Sequence, residues 1–142
     1  MDHKLKLMVV DDSPLFRTWL IRSLSEDDRF QVVGYAVNAL DAQEKIPLLQ
    51  PDMLTLDIEM PGMSGIDFLK QLLPVHPIPV ILVSSLNLRV FDALEAGAVD
   101  FVRKPDEANG LSKEIFLSML RSKLMVAAAS HVHLPSVPAD PQ

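Results

Sequence analysis

Five short apolar runs set the architecture of this chain. They read LKLMVV (5–10), FQVVGYAV (30–37), DMLTLD (52–57), PVILVSS (79–85) and VDFVRKP (99–105), and each pair is separated by a stretch long enough for a helix. The first run is apolar at nearly every position, which marks a central parallel strand covered on both faces. The second is rich in β-branched and aromatic residues, as strands are. Between them, Ser13-Pro14 reads as a helix start with proline near the first turn, followed by helical spacing over 15–24.

The remaining intervals follow the same logic. Asn38 caps a helix over 39–49, which Pro47 is expected to kink or shorten. A third helix over 66–73 stops at Pro74, and a fourth over 88–96 ends at Gly97, a natural C-cap. The last helix spans 111–127. Five strands alternating with five helices predict an α/β fold, a doubly wound five-stranded parallel sheet. Past Ala127 the composition changes. SHVHLPSVPADPQ (130–142) holds three prolines and no usable periodicity, so 128–142 reads as linker or tail. His131-x-His133 lacks a third ligand and is assigned no metal.

Composition narrows the function classes. The 142 residues suit one domain, and 49% hydrophobic content supports a packed core. The net charge of −6 argues against direct nucleic-acid binding, which needs clustered Lys and Arg. The absence of cysteine excludes disulfides and thiolate zinc sites. No run approaches the roughly 20 apolar residues of a membrane span, and MDHKLKLMVV is unlike a signal peptide. A cytoplasmic domain is expected.

The chemistry lies at the strand ends. In a parallel sheet the carboxyl ends of the strands share one edge, and ligands bind there. The first strand delivers Asp11 and Asp12, the third Asp57, the fourth Ser84 and Ser85, and the fifth Lys104. Three carboxylates in one pocket repel each other unless a cation neutralises them, and an all-oxygen set suits Mg²⁺. A carboxylate is a competent nucleophile for forming an acyl phosphate. Asp57, alone in the middle of the row, is the candidate phosphoacceptor, with Lys104 and a serine hydroxyl placed to meet the phosphoryl oxygens. Strand alternation turns only one of Ser84 and Ser85 inward, and Ser84 is preferred. An esterase is not expected: the nearest approach to a G-x-S-x-G elbow, Gly62-Met63-Ser64-Gly65, is one residue short and lies in a turn.

The set Asp11-Asp12, Asp57, Ser84 and Lys104-Pro105 resembles that of the response-regulator receiver domains of bacterial two-component signalling, over about residues 4–127. That resemblance implies a flavodoxin-like receiver fold and Mg²⁺ bound by Asp12 and Asp57. Asp11 would help through water, and the backbone carbonyl of Glu59 would complete the protein's share. It implies a cis Lys104–Pro105 bond, a switch formed by Ser84 and Phe101, and a histidine kinase as phosphodonor. The stretches TLDIEMPGMSGIDFL, PVILVSSL and GAVDFVRKP are similar, more narrowly, to the receiver of the chemotaxis protein-glutamate methylesterase (CheB type). The implied output is then an effector domain or downstream protein, a methylesterase absent from this chain. The alternatives are a stand-alone regulator or a degenerate receiver that serves as a constant binding module. The stretch 84–97 is shorter than the resemblance implies.

Overall fold

The computed structural model describes residues 4–85, 89–106, 108 and 112–133. In chain order the elements are β1 (Leu5–Val10), α1 (Pro14–Ser25), β2 (Phe30–Ala36), α2 (Ala39–Leu49), β3 (Met53–Leu56), α3 (Gly65–Leu72), β4 (Val80–Ser84), α4 (Arg89–Glu95), β5 (Asp100–Arg103) and α5 (Lys113–His133). The strands form one parallel sheet in the order β2-β1-β3-β4-β5. The expected five-stranded doubly wound sheet is therefore present. Leu88 and Leu111, the expected first residues of the fourth and fifth helices, lie outside the described residues, as do 134–142.

Alternation along the strands divides the apolar residues between two cores. On β1, Leu7 and Val9 face a cluster with Leu20, Leu24, Phe116, Leu120 and Leu124, so α1 and α5 cover that side. Met8 and Val10 face the other cluster, which holds Ala42, Ile46, Phe68, Leu69 and Val90 from α2, α3 and α4. This double cover is why LKLMVV carries no polar face beyond its first residues.

Helix boundaries follow their capping chemistry. The Asn38 side chain accepts from the Asp41 N–H at 2.8 Å, and Ser64 accepts from the Asp67 N–H at 3.2 Å. Two expectations need correction. Pro47 lies inside α2 without shortening it, because in the last turn it deletes a single ladder bond; Gln50 then closes the helix with its N–H on the Ile46 carbonyl at 2.8 Å and a φ of 49°. α5 runs to His133 rather than ending at Ala127. Met125 and the alanines 127–129 are good helix formers, so the helix persists past the expected end. No described helix is long and apolar enough to cross a membrane.

Charged contacts fasten α5 to the rest of the fold. Arg121 donates to the Ser23 carbonyl at 3.0 Å and pairs with Asp27 at 3.5 Å, while Lys123 meets Asp100 at 3.0 Å. Arg29 forks onto the same Asp27 carboxylate at 2.6 Å. The Arg29 hydrogen bonds, with its charge and that of Arg121, outweigh burial and hold the Asp27 pKa down at about 2.

Two outcomes follow from this packing. Leu54, fully buried on β3, leaves a cavity when cut to Ala, so Leu54→Ala lowers stability by about 2–5 kcal/mol. Urea unfolding checks it as a lower midpoint at unchanged slope. Asp27 binds its proton less readily folded than unfolded, so its contribution is complete above the unfolded pKa and fades as pH falls from about 4 toward 2. The gap in urea midpoint between wild type and Asp27→Asn is expected to be open at pH 6 and to close by pH 2.

Candidate functional site

The carboxyl ends of β1, β3, β4 and β5 converge as the sheet order requires. β3 lies between β1 and β4, which sets Asp57 between the Asp11-Asp12 pair and Ser84. The Asp57 N–H donates to the Val10 carbonyl at 3.0 Å, and the Lys104 N–H donates to the Ser84 carbonyl at 3.0 Å. The sheet ladder thus extends one residue past the strands and fixes both backbones.

Asp57 is buried, and both of its carboxylate oxygens are engaged. Oδ1 accepts from the Ser84 hydroxyl at 3.0 Å and from the Glu59 N–H at 3.1 Å. Oδ2 accepts from Lys104 Nζ at 3.1 Å. The same ammonium stands 3.0 Å from Asp11 Oδ2, so one cation bridges two carboxylates. Asp11 is itself held by the Ser13 N–H on Oδ1 at 2.8 Å, and Arg17 donates to its carbonyl at 2.9 Å.

The loop after β3 is bent tightly around this pocket. The Gly65 N–H donates to the Ile58 carbonyl at 2.9 Å. A Cβ at Gly65 would fall 2.8 Å from Ile58 Cα and 2.9 Å from the Asp57 carbonyl oxygen. Only glycine lets the start of α3 approach so closely.

The electrostatics follow the geometry. Burial raises the Asp11 pKa; the Ser13 N–H and the Lys104 ammonium oppose it without cancelling it, and the nearby Asp57 charge adds to the rise. Burial also works against the Lys104 ammonium, but the Asp57 and Asp11 carboxylates together outweigh it and raise its pKa. Lys104 is therefore a permanent charge. Asp12, next to buried Asp11, is exposed. One oxygen from each of Asp11, Asp12 and Asp57 can be chosen so that all three lie within 4.8 Å of one another. Such an oxygen set, open to water at Asp12, fits a hard cation such as Mg²⁺, which keeps several of its waters.

Each expected residue can now be located. Ser84 is buried against Asp57, whereas Ser85 is exposed. Glu59 contributes its N–H to Asp57, a role not anticipated from sequence. Phe101 is half-buried on β5, paired with Leu82, and packs against the α2–α3–α4 core. The short fourth helix is a seven-residue α4, and residues 86–88 before it lie outside the described set. The expected cis Lys104–Pro105 bond is corrected: it is trans, and no cis bond occurs among the described residues. Trans is the lower-energy X–Pro form by about 0.5–1 kcal/mol, and from this backbone Lys104 already reaches both carboxylates. Sequence reasoning also missed Phe16, whose ring lies 4.6 Å from Lys104 Nζ. No local signal marked it, because the lysine that meets the ring comes from the far side of the sequence, just past β5.

Comparison with known proteins agrees with this geometry. The family described as the response regulator receiver domain matches residues 7–116. The chain is 46% identical over 130 residues to a protein-glutamate methylesterase/protein-glutamine glutaminase 2 of Syntrophomonas wolfei, covering 92% of this chain and 38% of that protein. It is 43% identical over 136 residues to the Vibrio vulnificus protein of the same name, covering 93% and 39%. The chain thus spans about two fifths of the length of these relatives. Among solved structures, the response regulator domain of Thermotoga maritima CheB is 35% identical with a TM-score of 0.78, over 98% of this chain and 100% of that one. With these matches over a flavodoxin-like sheet, the chain belongs to the response regulator receiver domains of two-component signalling, and among them it is CheB-like.

Proposed function

We propose that this receiver is a Mg²⁺-dependent phosphoacceptor, with Asp57 as the residue that takes the phosphoryl group from a histidine kinase. One observation supports this above the others. Asp57 is the carboxylate on which a hydroxyl, a backbone N–H and a permanent ammonium converge, beside two further acids.

Asp12 and Asp57 would hold the metal directly, Asp11 through water, with the Glu59 carbonyl beside them. When bound, the ion supplies positive charge to the transferring oxygens. An Asp57 carboxylate oxygen attacks phosphorus; the new O–P bond forms as the donor's N–P bond breaks, and the imidazole nitrogen keeps the electron pair. Lys104 then exchanges its carboxylate partners for a phosphoryl oxygen. Ser84 turns its hydroxyl from Asp57 to the same group, and Phe101 follows on β5. The phosphorylated conformer presents a different surface, and a partner that prefers it shifts the population. The matched relatives' name supports a methylesterase as the controlled effector.

Asp57→Asn is expected to abolish phosphoryl uptake from labelled kinase. Label retained at an acid-stable, base-labile site would overturn the assignment. Lys104→Ala removes a cation that competes for the carboxylates, so Mg²⁺ affinity is expected to hold or rise in calorimetric titration. Affinity for beryllofluoride, a phosphoryl stand-in, is expected to drop at least about tenfold with the loss of a charged hydrogen bond. An unchanged beryllofluoride response would remove Lys104 from its role.

A further inference from the structure

Lys104 has a third neighbour besides its two carboxylates. Its Nζ lies 4.6 Å from the centroid of the Phe16 ring, within cation–π range. The loop that carries Asp11 also sets this ring: Ser13 donates to Asp11 Oδ1 at 2.8 Å, and Pro14 then starts α1. Acid and ring therefore hold the ammonium from one short segment. Phe16 is in turn buttressed by Trp19 at 5.7 Å and by fully buried Phe116 of α5 at 5.9 Å, centroid to centroid.

We propose that Phe16 is a positioning residue for Lys104, holding the ammonium over its ring while the carboxylate partners are exchanged for a phosphoryl group. The inference rests on the phosphoacceptor reading above. Its logic is one of competition. On that reading a divalent ion and a phosphoryl group both draw on the Asp57 carboxylate that Lys104 now contacts, and the ion engages Asp11 through water. Among the described residues, the aromatic face is the contact of the ammonium that neither of them takes. A lysine that lost both carboxylates without it would be free to swing into solvent on its four-carbon stem. With the ring in place, its charge stays within reach of the group on Asp57.

The test uses the whole chain, Mg²⁺ and beryllofluoride, followed by the emission of Trp19, the single tryptophan. Phe16→Leu keeps an apolar side chain and removes the π face. It is expected to weaken beryllofluoride binding about two- to fivefold, the range of a partly exposed cation–π contact. Phe16→Tyr is expected to restore it. In a Lys104→Ala background, Phe16→Leu is expected to have no further effect. Without any metal, the ε-methylene protons of Lys104 are expected to show an upfield ring-current shift by NMR that Phe16→Leu abolishes.

Equal binding by wild type and Phe16→Leu would overturn the positioning role while leaving the phosphoacceptor reading intact. A loss that Phe16→Tyr does not rescue, or that persists undiminished in the Lys104→Ala background, would make Phe16 a packing residue only. A wild type that ignores beryllofluoride would instead remove the phosphoacceptor reading, and this inference with it.

Discussion

The ammonium of Lys104 between Asp57 and Asp11 is the contact on which the rest of the site depends. Three carboxylates meet within 4.8 Å, and bringing them together without a cation would drive apart the loops that carry them. At about 3 Å and an effective dielectric near 20, each opposite-charge contact is worth roughly 5 kcal/mol before desolvation. Two such contacts exceed the burial penalty on the ammonium, which is why burial does not lower the Lys104 pKa here. Asp11 is less well served. It shares the ammonium with Asp57, and its pKa stays raised because burial outweighs the Ser13 N–H and that shared charge.

The sheet converts this local requirement into a requirement on topology. Lys104 follows β5 and Asp11 follows β1, three strand steps apart. Across a flat sheet at about 4.8 Å per step that gap is roughly 14 Å. It closes because both residues lie past the strand ends and because lysine carries its charge on a long stem. The N–H of Lys104 on the Ser84 carbonyl then fixes where that stem begins. A one-residue register slip in β5 would point it to the opposite face. The apolar pattern of Phe101 and Val102, split between the two cores, is thus also what aims the lysine.

This coupling explains how much was legible beforehand. The strand runs declare themselves because both faces of the sheet are covered, and the polar residue that ends each run then falls on one edge. Asp11, Asp12, Asp57, Ser84 and Lys104 could be read together for that reason. Alternation said that only one of Ser84 and Ser85 turns inward, and the preferred Ser84 is the buried one. What escaped depends on distant partners. Which member of the acid pair is buried turns on the Ser13 N–H and on Lys104, 93 positions away. The Lys104–Pro105 isomer hangs on an intrinsic difference smaller than a single good hydrogen bond. Phe16 lay unremarked within the helical spacing of 15–24, and nothing local says that a lysine from just past β5 will lie over its ring. Pro47 and the end of α5 were misjudged for a different reason. A breaker in the last turn costs one bond, and an alanine run outlasts the composition shift that follows it.

The resting pocket is already assembled, and that bears on how strongly it can switch. Ser84 donates to a charged oxygen of Asp57 now, and on the proposed reading it donates to a charged phosphoryl oxygen afterwards. Exchanging one charge-assisted bond for another yields little net free energy. A switch needs about 1.4 kcal/mol for every tenfold change in population, so the serine alone is a poor source of bias. The larger change is in charge. On the proposed reading, a phosphoryl group would replace the carboxylate contacts of Lys104 and would leave Asp11 without its ammonium unless a divalent ion were present to compensate. Metal and phosphoryl group would then be coupled through one lysine, each making room for the other. On that reading the surface change would begin at the end of β5, where Lys104 directly follows the four-residue strand that carries Phe101.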